Sequence, residues 1–356
     1  MRLKKLWIAL SLTLILPACA LCEATEIEII VPDAYAQSGT LPVYAMTRRD
    51  FADVVQPEWF NESGVVKKVN LSKRGRYDCY TFTDEDELSV SGEKDGYIYY
   101  VGIEGERQIV YDDGTTQNVP AHERSADVEN LAMDVYWGYA DDPYDGMPLR
   151  DMLAHVTLAD AQANVERMLD RLGIEGYECT WAFSMDTDTI LALNAQRNER
   201  IASGRLSTTD VYDFAGLSVQ DEGYALIYRA RVDGVETSGN FMELRAFVNG
   251  HGLRVFSLSA PYALGEIVNM PDSLITLQEA IESMLGSVRK SRHGSEEDMG
   301  NVTRAELIYS LDPLAKGKKL QLLPAWRLCF PIPRADIEVF AYVSAVDGAV
   351  LDAPWK

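Results

Sequence analysis

Two hydrophobic periods alternate along the chain. Residues 26–31 (E-I-E-I-I-V) partly alternate apolar and polar positions, and residues 76–82, 97–102 and 107–111 continue that period of two. Such a period sends successive side chains to opposite faces and predicts half-buried strands. Asp95-Gly96 and Asp113-Gly114 punctuate the stretch as turn dipeptides. A helix is expected to interrupt it over residues 49–60, where Pro57 limits regularity. Residues 127–136 fit a helix, and Asp141-Asp-Pro-Tyr-Asp-Gly146 has loop composition. A β-rich N-terminal domain is therefore expected over residues 25–150.

Beyond residue 150 the period lengthens, twice. Thr157-Leu-Ala-Asp-Ala161 and Thr276-Leu-Gln-Glu-Ala280 both carry a threonine three residues before an acid. That spacing lets the hydroxyl accept from a free backbone N–H while the acid reaches back, as a capping box does. Leu158, Ala161, Val165, Met168, Leu169 and Leu172 then share one helical face, as do Leu277, Ile281, Met284, Leu285 and Val288. Each helix leads to strands and a V-D-G turn, at Val232-Asp233-Gly234 and Val346-Asp347-Gly348. Residues 224–232 alternate Tyr224, Leu226, Tyr228 with Ala225, Ile227, Arg229, so that strand has two distinct faces. A further helical segment, 187–203, belongs to the first copy alone. The order of helix, strands and Asp-Gly turn reads as a duplicated helix-on-sheet unit, over residues 151–272 and 273–356.

Two stretches near the C-terminus add a resemblance. Leu322-Leu-Pro-Ala-Trp-Arg-Leu-Cys-Phe330 precedes Val339-Phe-Ala-Tyr-Val-Ser-Ala-Val-Asp-Gly-Ala-Val-Leu351. The second resembles the last hairpin of PepSY modules, with Val346 where threonine is usual. The P-A-W-R strand resembles that of YycH/YycI-type extracytoplasmic regulators. The whole chain looks like a family of uncharacterised exported bacterial lipoproteins with this ending. The resemblance implies a cell-envelope module that binds or restrains another protein and brings no catalytic residues with it. The expected fold class is α+β: an N-terminal β-rich domain followed by two tandem PepSY/YycI-like helix-on-antiparallel-sheet units.

The N-terminus sets the expected location. Arg2, Lys4 and Lys5 precede an uncharged apolar run, 6–18, too short to span a bilayer and suited to a signal peptide ending within residues 1–24. Leu16-Pro-Ala-Cys19 resembles a lipobox, which makes Cys19 the lipidation candidate. Ala18-Cys19-Ala20 and Cys22-Glu23-Ala24 suit an ordinary signal peptidase instead. The expected product is extracytoplasmic, held to the membrane through a lipid anchor only, or secreted. A formal charge of −22 repels phosphate backbones and argues against nucleic-acid binding. Cys79, Cys179 and Cys329 are widely spaced and apolar-flanked, so they read as small buried residues.

Candidate chemistry is thin. His122-Glu123 begins a zinc motif but has no second histidine four positions on, and His155, His251 and His293 are scattered. Asp186-Thr-Asp-Thr-Ile190 follows an apolar strand as an aspartyl phosphotransferase nucleophile would, yet a helix cap at Asp186 or Thr187 accounts for it more simply. Asp84-Glu-Asp-Glu87 reads as a solvated acidic loop. Tyr97, Tyr99 and Tyr100 with Trp137 and Tyr139 suggest a sugar-binding surface or, more plainly, half-buried strand aromatics. No catalytic residue, cofactor or metal is implied. The expectation is a non-enzymatic envelope protein acting on a protein partner, with a cell-surface hydrolase or carbohydrate-binding protein as the alternative.

Overall fold

A computed structural model describes residues 27–49, 51, 53–70, 77–84, 86–91, 97–102, 106–110, 116–120, 124–136, 149–206, 212–214, 216–238, 242–259, 262–290, 302–312, 320–332 and 337–353. Strands β1 (Glu28–Ile30) and β2 (Val43–Arg48) flank helix α1 (Asp33–Ser38). After a 3-10 turn at Pro57–Trp59 come β3 (Val65–Asn70), β4 (Tyr77–Phe82), β5 (Glu87–Ser91), β6 (Tyr97–Val101), β7 (Glu106–Val110) and β8 (Thr116–Pro120). Helices α2 (Arg124–Tyr136) and α3 (Leu158–Arg171), strand β9 (Tyr177–Met185) and helix α4 (Thr187–Ala202) follow. Next are β10 (Gly223–Val232), β11 (Val235–Glu236), β12 (Glu243–Asn249), β13 (Gly252–Ser259) and β14 (Tyr262–Asn269). Helix α5 (Leu277–Lys290) precedes β15 (Arg304–Leu311), β16 (Leu320–Ile332), β17 (Ile337–Ser344) and β18 (Val350–Asp352).

Pairing overturns the expected serial arrangement. Instead of a β-rich domain followed by two α+β units, there are two large sheets that each join separated stretches: one combines β3–β6 with β9–β13, and the other combines β1 and β2 with β14–β18. The nine-stranded sheet runs β11-β10-β12-β13-β6-β5-β4-β3, with β9 also on β10. The seven-stranded sheet runs β1-β15-β16-β17-β18, with β2 on β16 and β14 outside β2. Among the described residues, strands far outnumber the five α-helices. The reason is physical: alternation fixes which face of a strand is buried, but not which strand lies beside it. Thus β6 continues the sheet begun by β13, with Tyr100 opposite Phe256, and β1 runs parallel to β15, with Glu28 opposite Arg304.

Local signals formed much as their chemistry requires. Thr157 Oγ1 accepts from Asp160 N at 3.0 Å, but the short aspartate does not close the box and takes the hydroxyl proton instead, at 2.7 Å. Glu279 is one methylene longer and accepts from Thr276 N at 2.7 Å, so the second box is reciprocal. These backbone and hydroxyl bonds hold the Glu279 carboxyl below its ordinary value. Helix α3 presses Ala161, Val165, Met168 and Leu169 onto Tyr224, Leu226 and Tyr228 of β10. Helices α2 and α4 cover the opposite face, over Ala225 and Ile227. Helix α5 seats Ala280 and Met284 on the second sheet, and Trp326 Nε1 donates to Ile275 O at 3.1 Å. Each such valine, leucine or methionine side chain contributes about 1.5–3 kcal/mol by leaving water. The helix expected over residues 49–60 is reduced to the 3-10 turn, which Pro57 opens.

Candidate functional site

The densest chemistry lies where the two sheets meet. The β10–β11 turn, Asp233-Gly234, has φ of 51° and 76°. Two left-handed residues make the tight turn that matches strand twist. The turn points its aspartate at the other sheet, where the Tyr44 hydroxyl of β2 donates to Asp233 Oδ2. Burial, then the bond to Asp233 and its charge, push the Tyr44 hydroxyl up to about 12. Beyond the turn, Thr237 forms a parallel bridge to Tyr309, and Ser238 N donates to Tyr309 O at 2.7 Å. The hairpin therefore stitches one sheet to the other.

Beside this stitch runs a seam of charge. On β10, Arg229 stands opposite Glu243 of β12; on β16, Arg327 stands opposite Glu306 of β15 and Tyr342 of β17. Glu236 of β11 joins the two ladders. Arg229 Nη1 donates to Glu236 Oε1 at 2.6 Å, and Arg327 Nη1 reaches the same oxygen at 3.4 Å. Arg229 Nη2 also donates to the Tyr136 hydroxyl, while Arg327 donates to Glu306. Side-chain exposure here is only 12% for both arginines and 23% for Glu236. Burial alone would push the Glu236 carboxyl up, but Arg327 and Arg229, with Arg231 behind them, hold it below the ordinary glutamate value. For Glu243 burial wins over Arg229 and Arg245, and its carboxyl is raised. The seam is a paired, half-dry lattice that locks the sheets in one relation.

Strand β2 also supports an open edge. Its Tyr44 faces the stitch, and its outer side pairs β14, with Tyr44 opposite Ile267. Among the described residues no strand pairs the far side of β14. Leu264, Ile267, Val268 and Met270, on or just after this strand, are 41–53% exposed. The ladder slips between Leu264 and Ile267 and again before Asn269. At the first slip Gly265 lies so close to β2 that a Cβ would meet Ala45 O at 2.9 Å.

The chain shares its fold with a solved bacterial protein. An uncharacterized protein from Eubacterium rectale matches over 88% of this chain and 86% of its own, at 11% identity and a TM-score of 0.51. The Bacillus megaterium YpeB C-terminal domain matches over 85% and 97%, at 12% identity and a TM-score of 0.30. No family model matches the chain, and no curated protein sequence does.

The residues singled out from sequence are dispersed. Cys19, His122, Glu123, Trp137, Tyr139 and His293 lie outside the described residues. His155 Nε2 sits 2.9 Å from Gln220 Nε2, and His251 N donates to Asn249 Oδ1 at 2.9 Å. Asp186 caps α4, accepting from Thr189 N at 2.8 Å and pairing with Arg150 at 2.5 Å. Cys329 is buried; Cys79 and Cys179 are half-buried, and all three are free thiols. Tyr97 and Tyr99 project from one face of β6 and Tyr100 from the other, as alternation requires, so the three do not share a surface. Among the described residues no cluster of three His, Cys, Asp or Glu side chains could hold a metal.

One expectation reverses. The acidic loop is not simply solvated, because Asp86 is 1% exposed. Its carboxylate accepts from the Tyr100 hydroxyl at 2.5 Å and from Asn61 Nδ2 at 2.7 Å, and pairs with Arg254 at 3.3 Å. Sequence pattern does not single out the seam, although Arg229 and Arg327 each stand inside an apolar strand. A charge in that position demands a partner, and this was the available signal.

Proposed function

We propose that this chain is an exported cell-envelope protein, anchored through Cys19, that acts by holding another protein along the free edge of β14. The observation that carries the reading is the group of exposed apolar residues Leu264, Ile267, Val268 and Met270 on and just after a strand unpaired on its outer side among the described residues. Unpaired N–H and C=O groups on such an edge are a template for another strand. The leader-like N-terminus supports export, and the likeness of Trp326-Arg327 and the last hairpin to PepSY and YycH/YycI sequences supports a binding role. No helix among the described residues is long and apolar enough to cross a membrane, which is compatible with a lipid anchor.

The test is capture by cross-linking in native envelopes, with wild type compared against Ile267→Asp. A partner recovered with wild type and lost with the variant is expected. Equal recovery with both, or hydrolysis of a peptide or glycan by the pure protein, refutes the reading.

A further inference from the structure

The sheet edges differ in how well they are guarded against pairing. Strands β1 and β18 have three residues each, too few for a durable ladder. Strand β3 is longer but carries Lys67 and Lys68, which discourage a neighbour. Strand β9 has nine residues, pairs only β10 among the described residues and also lacks lysine, arginine and proline, but it packs Trp181 and Phe183 into the core and exposes no large apolar side chain. Strand β14 has eight residues, with no lysine, arginine or proline among them, and it exposes Leu264, Ile267 and Val268. Its irregularities face inward, on the β2 side. Gly265 lets the backbone press against Ala45, and the slipped register allows Leu264 and Ile267 to face solvent. Both faces of β14 are exposed from Leu264 to Asn269.

The strand carries one formal charge, at Glu266, near its centre. That charge selects among occupants. A second copy laid antiparallel about the strand centre would set Glu266 beside its own counterpart, and like charges across a strand pair destabilise it. Each copy would also bring a net charge of −22.

We infer that the segment received by β14 is an extended, apolar strand of a different protein with a lysine or arginine set against Glu266. This rests on the binding role proposed above and adds the chemistry of the partner. Main-chain hydrogen bonds supply affinity, and the side chains opposite Leu264, Glu266 and Ile267 supply selection.

Two fluorescein-labelled peptides test it, each seven residues of alternating valine and threonine, one with a central lysine and one with a central glutamate. Anisotropy titration against the full chain is expected to show the lysine peptide binding about tenfold more tightly. E266K should reverse the order. Ile267→Asp, or Val268→Asp as a second variant at an exposed position, should abolish both signals. Equal affinity for the two peptides, with Ile267→Asp still abolishing both, overturns the charge assignment and leaves the binding reading intact. Absence of binding, or binding indifferent to both apolar variants, overturns the two together. Sedimentation showing a dimer that Ile267→Asp dissolves identifies a second copy as occupant and overturns the inference.

Discussion

Glu236→Gln removes one negative charge from between two arginines and changes little else in volume. The bond from Arg229 at 2.6 Å is charge-assisted, and such bonds contribute about 1.5–3 kcal/mol net. The longer contact with Arg327, at 3.4 Å, adds about 0.5 kcal/mol. Orphaning a buried charge costs about 3–5 kcal/mol, but that limit is not reached here, because each arginine keeps another carboxylate. Arg229 retains Glu243 at 3.4 Å, and Arg327 retains Glu306. The expected loss is about 2–3 kcal/mol, read from urea denaturation midpoints at neutral pH. The pH dependence has a definite sign. The native Glu236 carboxyl titrates below its unfolded value, so its contribution is present above the unfolded value and fades as pH falls through the native one. Wild type and variant should therefore begin to converge as pH falls past the unfolded glutamate value, about 4.3, and meet only below the lowered native one. Combining Glu236→Gln with Arg327→Met should be non-additive by about 0.5 kcal/mol, the value of their direct contact. A loss under about 0.5 kcal/mol, or strict additivity, refutes the idea that the seam couples the sheets.

Two further predictions follow from buried and capping groups. Asp86→Ala removes the buried carboxylate shared by Tyr100, Asn61 and Arg254; a loss of about 3 kcal/mol is expected, visible as a lowered thermal midpoint. Thr157→Ala deletes the cap of α3 and should cost about 1 kcal/mol; urea denaturation with an unchanged midpoint would contradict the cap's role.

What was legible in the sequence was local. Thr157 and Thr276 mark helix starts because capping acts over three residues, and Asp233-Gly234 marks a tight turn because few residue pairs tolerate two left-handed backbones. The two faces of β10 were visible in its alternation. Val346-Asp347-Gly348 repeats the same residues, yet Gly348 N bonds back to Ser344 O and Ser344 N to Ala349 O, a wider connection. Pairing was not legible. Nothing near Tyr100 points to Phe256, and nothing near Glu306 points to Arg327, because those choices are made by the assembled core. Asp86 shows the same limit: a run of acids looks hydrated until the distant Arg254 arrives. The open edge of β14 was hidden for a related reason. Its Tyr-Ala-Leu-Gly-Glu-Ile-Val-Asn sequence resembles any half-buried strand, and exposure depends on which neighbour is missing.

The interleaving of distant strands sets an order of events during synthesis. Strand β1 waits for β15, and β2 for β14 and then β16, so neither completes its pairing until strands more than two hundred residues further on have emerged. Such long-range closure is slow and leaves sticky strands waiting in the meantime. A nascent chain of this design stays open to a chaperone until its final strands appear, and a product cut short before β15 would leave β1 unmated.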